Sequence, residues 1–300
     1  MLKSVMRTIL FLLLMVSYGI VAAQSEKSKL VPDGENASQR RHVVLEGQSN
    51  FRDIGGYKTS SDKTVKWGQV YRSGELPRLT DKDVSKLKAL GVKKVVNFLT
   101  EEETKNRGKD RLPCGVSIIS QPIESDDGLV RIVSQARKNA DFSKVPADLN
   151  PQFHSILVND AKKQYAALLK EIAKADGQPV VFHCSHGVHR TGTATAILLW
   201  TLDVPWQTIR EDYLLSNKCR KTEIEKRLAQ LRQQAARYQK IPPEKVDMTN
   251  INAFYILKGN YIDATRDEIL KQYGSIDRYL IKGLGLKKSE IQALRDNLLE

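Results

Sequence analysis

Cysteine is scarce in this sequence, with three residues in 300, which excludes a small scaffold stapled by disulfides. A membrane span needs about 20 consecutive apolar residues. The longest unbroken apolar run here is Ile9 to Val16 (ILFLLLMV), which excludes a multi-span membrane protein. Aromatic residues amount to 7 % and do not interleave with the basic clusters, so a nucleic-acid surface is not expected. Acidic residues fall short of basic ones, 35 against 48, giving a formal charge of +13. That surplus favours acidic partners: phosphate esters, nucleic acid or anionic lipid. There is no internal repeat and no low-complexity tract. What is present is an ordinary globular balance, 41 % hydrophobic and 28 % charged, at a length that suits one large domain or two small ones.

The first segment reads as an address. Lys3 and Arg7 precede the apolar run, and Val21-Ala22-Ala23 supplies small residues before Gln24. This is the plan of a secretory signal peptide over residues 1–23, cut near Ala23, with an uncleaved anchor as the alternative. The expected location is therefore secreted or periplasmic. Its removal leaves about +11 on the remainder. Residues 24–42 are polar and basic, with a Pro32-Asp33-Gly34 turn signal, and read as a flexible leader. The folded domain is expected over residues 43–300.

Within it, the paired glycines of NFRDIGGY (Asn50 to Tyr57) predict a tight turn or bulge at a strand end. Gln69–Arg72, Val92–Phe98, Val116–Ile119 and Val180–Phe182 read as strands. Thr80 caps a helix that Gly91 stops. Pro151 to Ala175 predicts one long amphipathic helix, and Thr191 to Leu202 a helix apolar all round and hence buried. From Glu211 onward the pattern is helical. Strands alternating with helices, then a helical end, predict a mixed α/β domain with a central sheet.

The chemistry concentrates in FHCSHGVHRTGT, Phe182 to Thr193. It runs from a strand through a loop to a helix N-terminus, with five residues between Cys184 and Arg190. Such a loop turns several backbone N–H groups inward, and the helix dipole adds positive charge. The result is a cradle for a tetrahedral anion, formed by the backbone of Ser185, His186, Gly187, Val188 and His189. Arg190 adds a planar fork for two phosphate oxygens. Cys184 at the base is stabilised as a thiolate by the same donors and can attack phosphorus in line. Thr191 can bond the thiolate when it departs. The ester oxygen must gain a proton as it leaves, so a general acid is needed.

HCSHGVHRTG resembles the signature of cysteine-dependent protein-tyrosine phosphatases, HC-x5-R-[ST]-G. NFRDIGGY, WGQVYRSGEL, EDYLLSN and the segment from Tyr261 to Leu299 resemble one branch, the bacterial secreted tyrosine phosphatases that open with NFRD-x-GG and also act on phosphoinositides. The resemblance spans roughly residues 43–299. It implies a protein-tyrosine-phosphatase-like α/β fold with a central, mostly parallel sheet flanked by helices and a helical C-terminal part. It implies Cys184 as nucleophile, Arg190 as phosphate binder, His183 as a residue tuning the thiolate, and Arg52 and Asp53 as supports beside the loop. It also implies a two-step reaction without metal or other cofactor.

Two positions depart from that branch. Val188-His189 stands where it carries Lys-Asp, and His-Arg there looks more like the phosphatases of inositol pyrophosphates. Asn97-Phe98-Leu99 stands where it carries Asp-Leu-Arg. The acid must then come from elsewhere. Asp126 and Asp127 in the segment QPIESDDG are the candidates, with Glu124 third and His189 a further one. A solvated acidic start to the following helix is the other reading of that segment.

The expected substrate is phosphotyrosine in proteins. The alternatives are inositol phosphates or phosphoinositides, which would bring contact with anionic membrane lipid, and a phosphate-binding module without turnover. A sulfur-transfer enzyme would also use a loop cysteine, but the gap to Arg190 and the Thr191-Gly192 ending fit phosphate better. Tyr57 is a candidate wall for an aromatic ester. His183, Cys184, His186 and His189 invite a zinc reading, which the positive charge of Arg190 opposes. Cys114 and Cys219 either pair with each other or stay as buried thiols.

Overall fold

Five strands build one sheet among the described residues, which in this computed structural model are 40–124 and 127–300. The expected signal segment 1–23, the leader up to residue 39, and Asp126 lie outside them. The strands are β1 (Arg52–Asp53), β2 (Val70–Ser73), β3 (Lys94–Asn97), β4 (Ser117–Ser120) and β5 (Val180–His183), in the order β1-β2-β5-β3-β4. β1 pairs antiparallel with β2, and every other pairing is parallel. β5 is central, so both faces are covered and its residues are buried throughout.

Alternate strand residues enter opposite layers. Val70, Val96, Val180 and Phe182 join the main core. Tyr71, Val95 and Val181 face the other way, onto a smaller cluster with Leu76, Leu79 and Leu87. Leu87 belongs to α1 (Asp81–Ala89), which begins in a capping box between Thr80 and Asp83. α2 (Glu101–Arg107) begins the same way, with Thr100 and Glu103.

After α3 (Asp127–Lys138), the other face carries α4 (Leu149–Asp160), α5 (Lys162–Ala173), α6 (Arg190–Thr201) and α7 (Trp206–Cys219), and α8 (Lys221–Gln239) follows. α9 (Thr249–Tyr255), α10 (Gly259–Tyr273), α11 (Ile276–Arg278) and α12 (Lys288–Leu298) complete the helical C-terminal part. The mixed α/β fold expected from the sequence is present. The single long helix expected over residues 151–175 is instead two, parted at Ala161 (φ −102°, ψ 13°), which is fully buried. No glycine or proline marks that break. Helix α6 is buried along nearly its whole length, as its apolar sequence requires.

Residues Arg41–Glu300 form one compact unit. The Arg41 guanidinium lies 3.6 Å from the centre of the Tyr57 ring and 4.9 Å from that of Trp67. A third cluster joins α3, α4, α8 and α9 through Val133, Phe153, Leu231 and Ile251. Helix α4 contributes to both this cluster and the main core, with Leu157 and Val158 in the latter. Among the described residues no helix is long and apolar enough to cross a membrane.

Candidate active site

The loop from Cys184 to His189 joins the end of β5 to the start of α6. Its carbonyls are turned outward and held there. Ser185 O accepts from Glu75 N–H at 3.1 Å. Asn50 Nδ2 donates to His186 O at 3.0 Å, and Arg72 Nη2 to Gly187 O at 2.8 Å. With the carbonyls outward, the N–H groups face in, toward the cysteine. Gly187 sits at φ +67°, and a Cβ there would lie 2.6 Å from Ser73 O. Only glycine fits that position.

Cys184 is 2 % exposed. Burial pushes its thiol up, but the Arg190 charge, the Thr191 hydroxyl, and the Thr191 and Gly187 N–H groups outweigh burial and hold it below its ordinary value. The Thr191 hydroxyl is buried without a protein hydrogen-bond partner of standard geometry, which leaves it for the sulfur.

Arg190 is aimed by a carboxylate that the sequence analysis did not single out. Its Nη1 and Nη2 donate to the two Glu103 oxygens, each at 2.6 Å. Nη1 also donates to Phe98 O at 3.1 Å and Ile123 O at 3.2 Å. These bonds fasten the outer edge of the guanidinium. Nε–H and the second Nη2 hydrogen remain for a phosphate, the latter in weak contact with Ser185 Oγ at 3.4 Å. Burial raises the Glu103 carboxyl, and the Arg190 bonds and charge outweigh it, so it stays ionised. The one legible signal for Glu103 was the Thr100-x-x-Glu spacing of a capping box.

The loop's support is a second network the sequence did not spell out. Asp212 on α7 binds Arg72 Nη1 at 2.5 Å and Arg52 Nε at 3.2 Å, and accepts from Tyr57 OH at 3.0 Å. Arg52 Nη1 donates to Asn50 Oδ1 at 2.6 Å, and Asn50 and Arg72 hold the loop. Arg52 thus supports the loop through its neighbours. Asp53 stands further off: its oxygens accept from Gly55 N–H and Gly68 N–H, both at 2.7 Å, and brace the glycine turn. Tyr57 buttresses Asp212 and is not a wall of the cleft.

The histidine that ends β5 and the two of the loop have separate partners. His183 Nε2 meets Asp110 Oδ2 at 3.0 Å, and His186 Nδ1 meets Ser185 Oγ at 3.1 Å. His189 donates from Nε2 to Asn150 Oδ1, because the Asn150 amide nitrogen is spent on Ala253 O and Phe254 O. The His189 ring lies 4.8 Å from that of Phe153. Burial, then the charges of Arg190 and Arg220, push its pKa down to about 3. The half-buried His189 ring, set between Phe153 and Phe254, is thus biased toward its neutral form.

Cys184 opens onto a cavity of about 680 Å³. Phe153, Leu157, Phe254 and Tyr255 form an apolar wall, while Arg107, Arg137 and Arg220 add positive charge on the same lining. Of the acid candidates, Glu124 lines the cavity, Asp127 opens α3, and Asp126 lies outside the described residues. Cys114 is exposed and Cys219 half-buried, and both are free thiols.

A sequence model of the tyrosine phosphatase family matches residues 43–300. The triple specificity protein phosphatase PtpB of Mycobacterium tuberculosis is 26 % identical over 277 residues, covering 85 % of this chain and 98 % of its own length. A tyrosine-protein phosphatase of Nostoc commune is 24 % identical, covering 76 % of this chain and 73 % of its own. A crystal structure of P. aeruginosa TpbA in complex with pTyr aligns at 20 % identity and a TM-score of 0.31, over 53 % of this chain and 77 % of that one. With the family match spanning nearly the whole described fold and the phosphate loop within it, this chain belongs to the tyrosine phosphatase family.

Proposed function

We propose that this protein hydrolyses phosphate monoesters in two steps at Cys184, with phosphotyrosine in proteins as its main substrate. The observation that carries the reading is Cys184, held toward the thiolate at the foot of the cavity by Arg190 and the loop N–H groups. A phosphate entering the loop takes the inward N–H groups and the free edge of Arg190. The Cys184 sulfur forms a bond to phosphorus as the phosphorus–oxygen bond to the ester breaks. The leaving oxygen takes a proton from the acidic segment, for which Asp126 and Asp127 are the first candidates and Glu124 the third. Water then attacks the phosphocysteine, giving its proton to the carboxylate left by the acid, the sulfur–phosphorus bond breaks, and the Thr191 hydroxyl bonds the returning thiolate. The apolar wall of Phe153, Leu157 and Phe254 suits an aromatic ester.

A second reading rests on Arg107, Arg137 and Arg220, which line the same cavity. They favour substrates with more than one phosphate, namely inositol phosphates or phosphoinositides, the latter presented at an anionic membrane surface.

The deciding experiment is phosphate release with EDTA present, from phosphotyrosine peptide, phosphatidylinositol phosphates and inositol hexakisphosphate, with Cys184→Ser as control. Release that disappears in Cys184→Ser supports the thiolate route, and the preferred substrate separates the two readings. Phosphate binding without release from any substrate would leave a binding module. Asp126→Ala or Asp127→Ala should lower turnover by about 10²–10⁴ while phosphate affinity holds. Wild-type rates in both remove that segment from the mechanism. The basic start, apolar run and small residues of 1–23 support secretion. N-terminal mass determination after expression in an exporting host should find Gln24 first.

A further inference from the structure

Behind the phosphate loop, three polar side chains meet at the C-terminal ends of β3 and β5. Asn97 and His183 stand opposite one another in the strand register. Asp110, from the segment after α2, reaches between them. Its Oδ2 accepts from Asn97 Nδ2 at 2.9 Å and lies 3.0 Å from His183 Nε2. The His183 and Asp110 side chains are 0 % and 1 % exposed. The second oxygen, Asp110 Oδ1, is buried with no hydrogen-bond partner among the described residues. A carboxylate oxygen left unpaired in the interior weakens a fold, so packing alone gives no reason for Asp110.

The partners fix where the hydrogens are. Asn97 Oδ1 accepts from Leu99 N–H at 2.8 Å, so the amide nitrogen is the atom turned to Asp110. His183 Nδ1 lies 3.4 Å from the carbonyl oxygen of Cys184, which can only accept. Its Nε2 faces a carboxylate. Both ring nitrogens therefore face acceptors, and each needs a hydrogen. That arrangement has a place for a hydrogen on each ring nitrogen, with the Asp110 carboxylate facing Nε2.

We propose that Asp110 is a positioning residue for the nucleophile: it holds His183 doubly protonated, and the positive ring, one residue from Cys184, favours the thiolate. The proposal rests on Cys184 being the nucleophile. It also accounts for the amide at 97. A carboxylate there would confront Asp110 across a hydrogen-bond distance, and two like charges cannot share that site. Asn97 and Asp110 thus form one hydrogen-bonded arrangement. Among the described residues, the charged or titratable groups around the thiol include Arg190, Glu103 behind it, and Tyr165 on α5. Arg111, next to Asp110, is turned away to Leu79 O and Asp81.

The test is the pH profile of Cys184 alkylation by iodoacetamide, followed by peptide mass spectrometry so that Cys114 and Cys219 do not interfere. Asp110→Asn should move the midpoint up by about one pH unit, a roughly tenfold loss of thiolate on the acid side. Binding of inorganic phosphate should stay within about twofold, since Arg190 and the loop are untouched. Asp110→Glu should restore part of the shift. A profile that superimposes on the parent's overturns the proposal. Should Asp110→Asn not fold, ¹⁵N-imidazole NMR of the unaltered protein decides. Two protonated nitrogens on His183 at neutral pH are expected, and a neutral single tautomer would overturn the assignment. Failure of phosphate release from every substrate would strike the enzymatic reading alone and leave the alkylation result standing.

Discussion

At the scale of single residues, the loop leaves little freedom. Gly187 has a backbone conformation that side chains resist, and its missing Cβ makes room for Ser73 O. Gly187→Ala should cost about 1–3 kcal/mol of stability, from strain and the forced shift of β2 against the loop. Turnover should fall by at least about tenfold, because the inward N–H groups move with the loop. Thermal melting and phosphate release on the same preparation check both; an unchanged melt with full activity would contradict the contact. Cys184, Gly187 and Arg190 were legible because their spacing is itself the geometry of the cradle. Glu103 and Asp110 were not. Each reaches the site from a loop or helix far along the chain; the capping-box spacing marks Glu103 as a helix start, and nothing local says that either carboxylate is folded toward the site. His189 was legible as part of the cradle; its half-buried place between Phe153 and Phe254, which favours the neutral ring, is a tertiary fact that the local sequence does not carry.

At the scale of elements, β1, β2 and α7 are tied by one buried carboxylate between two guanidiniums. Burial pushes Asp212 up, and the charges of Arg52 and Arg72 outweigh it and hold it far below the usual carboxylate range. Arg72 itself is pushed down to about 10, by burial and by Arg52, against the pull of Asp212. Removing the carboxylate leaves two buried cations facing each other. Asp212→Asn should therefore cost about 3–5 kcal/mol and loosen the phosphate loop through Asn50 and Arg72. The pH dependence has a definite sign. The folded value of Asp212 lies below its unfolded value of about 3.9, so its stabilisation is complete above that pH and lost as pH falls toward the folded value. Melting temperature measured from pH 7 down to pH 3 should drop steeply in the parent at the acid end and more shallowly in Asp212→Asn. Parallel curves would mean that other carboxylates carry the acid sensitivity. The segments holding these residues, NFRDIGGY, YRSGEL and EDYLLSN, stood out in the sequence. Their mutual contacts did not, because residues some 160 positions apart meet only once the sheet is formed. The break at Ala161 was illegible for a related reason: buried packing sets it, and no breaking residue marks it.

At the scale of the whole molecule, the cleft lies where two hydrophobic clusters meet. The sheet side supplies Cys184, Ser185 and Arg190, resting on the main core. The helical side supplies Val133 and Tyr255 from the cluster of α3, α4, α8 and α9. Helix α4 runs through both, so the two walls are joined by one rigid element and by the His189–Asn150 bond. This division separates chemistry from substrate fit. Ile251 on α9 is fully buried in the helical cluster and absent from the cavity lining. Ile251→Ala should destabilise by about 2–5 kcal/mol through lost contacts and the void left behind. The loss should be local, since that cluster is packed separately from the sheet. Amide exchange is expected to speed up in α3, α8 and α9 while β5 and α6 keep the parent's protection. KM for a phosphotyrosine peptide should rise as the apolar wall loosens. The Cys184 alkylation profile should not move, because Arg190, Thr191 and the loop N–H groups sit on the other core. Equal loss of protection on both sides would show that α4 welds the two clusters into one cooperative unit, and substrate fit and thiolate chemistry would then rise and fall together.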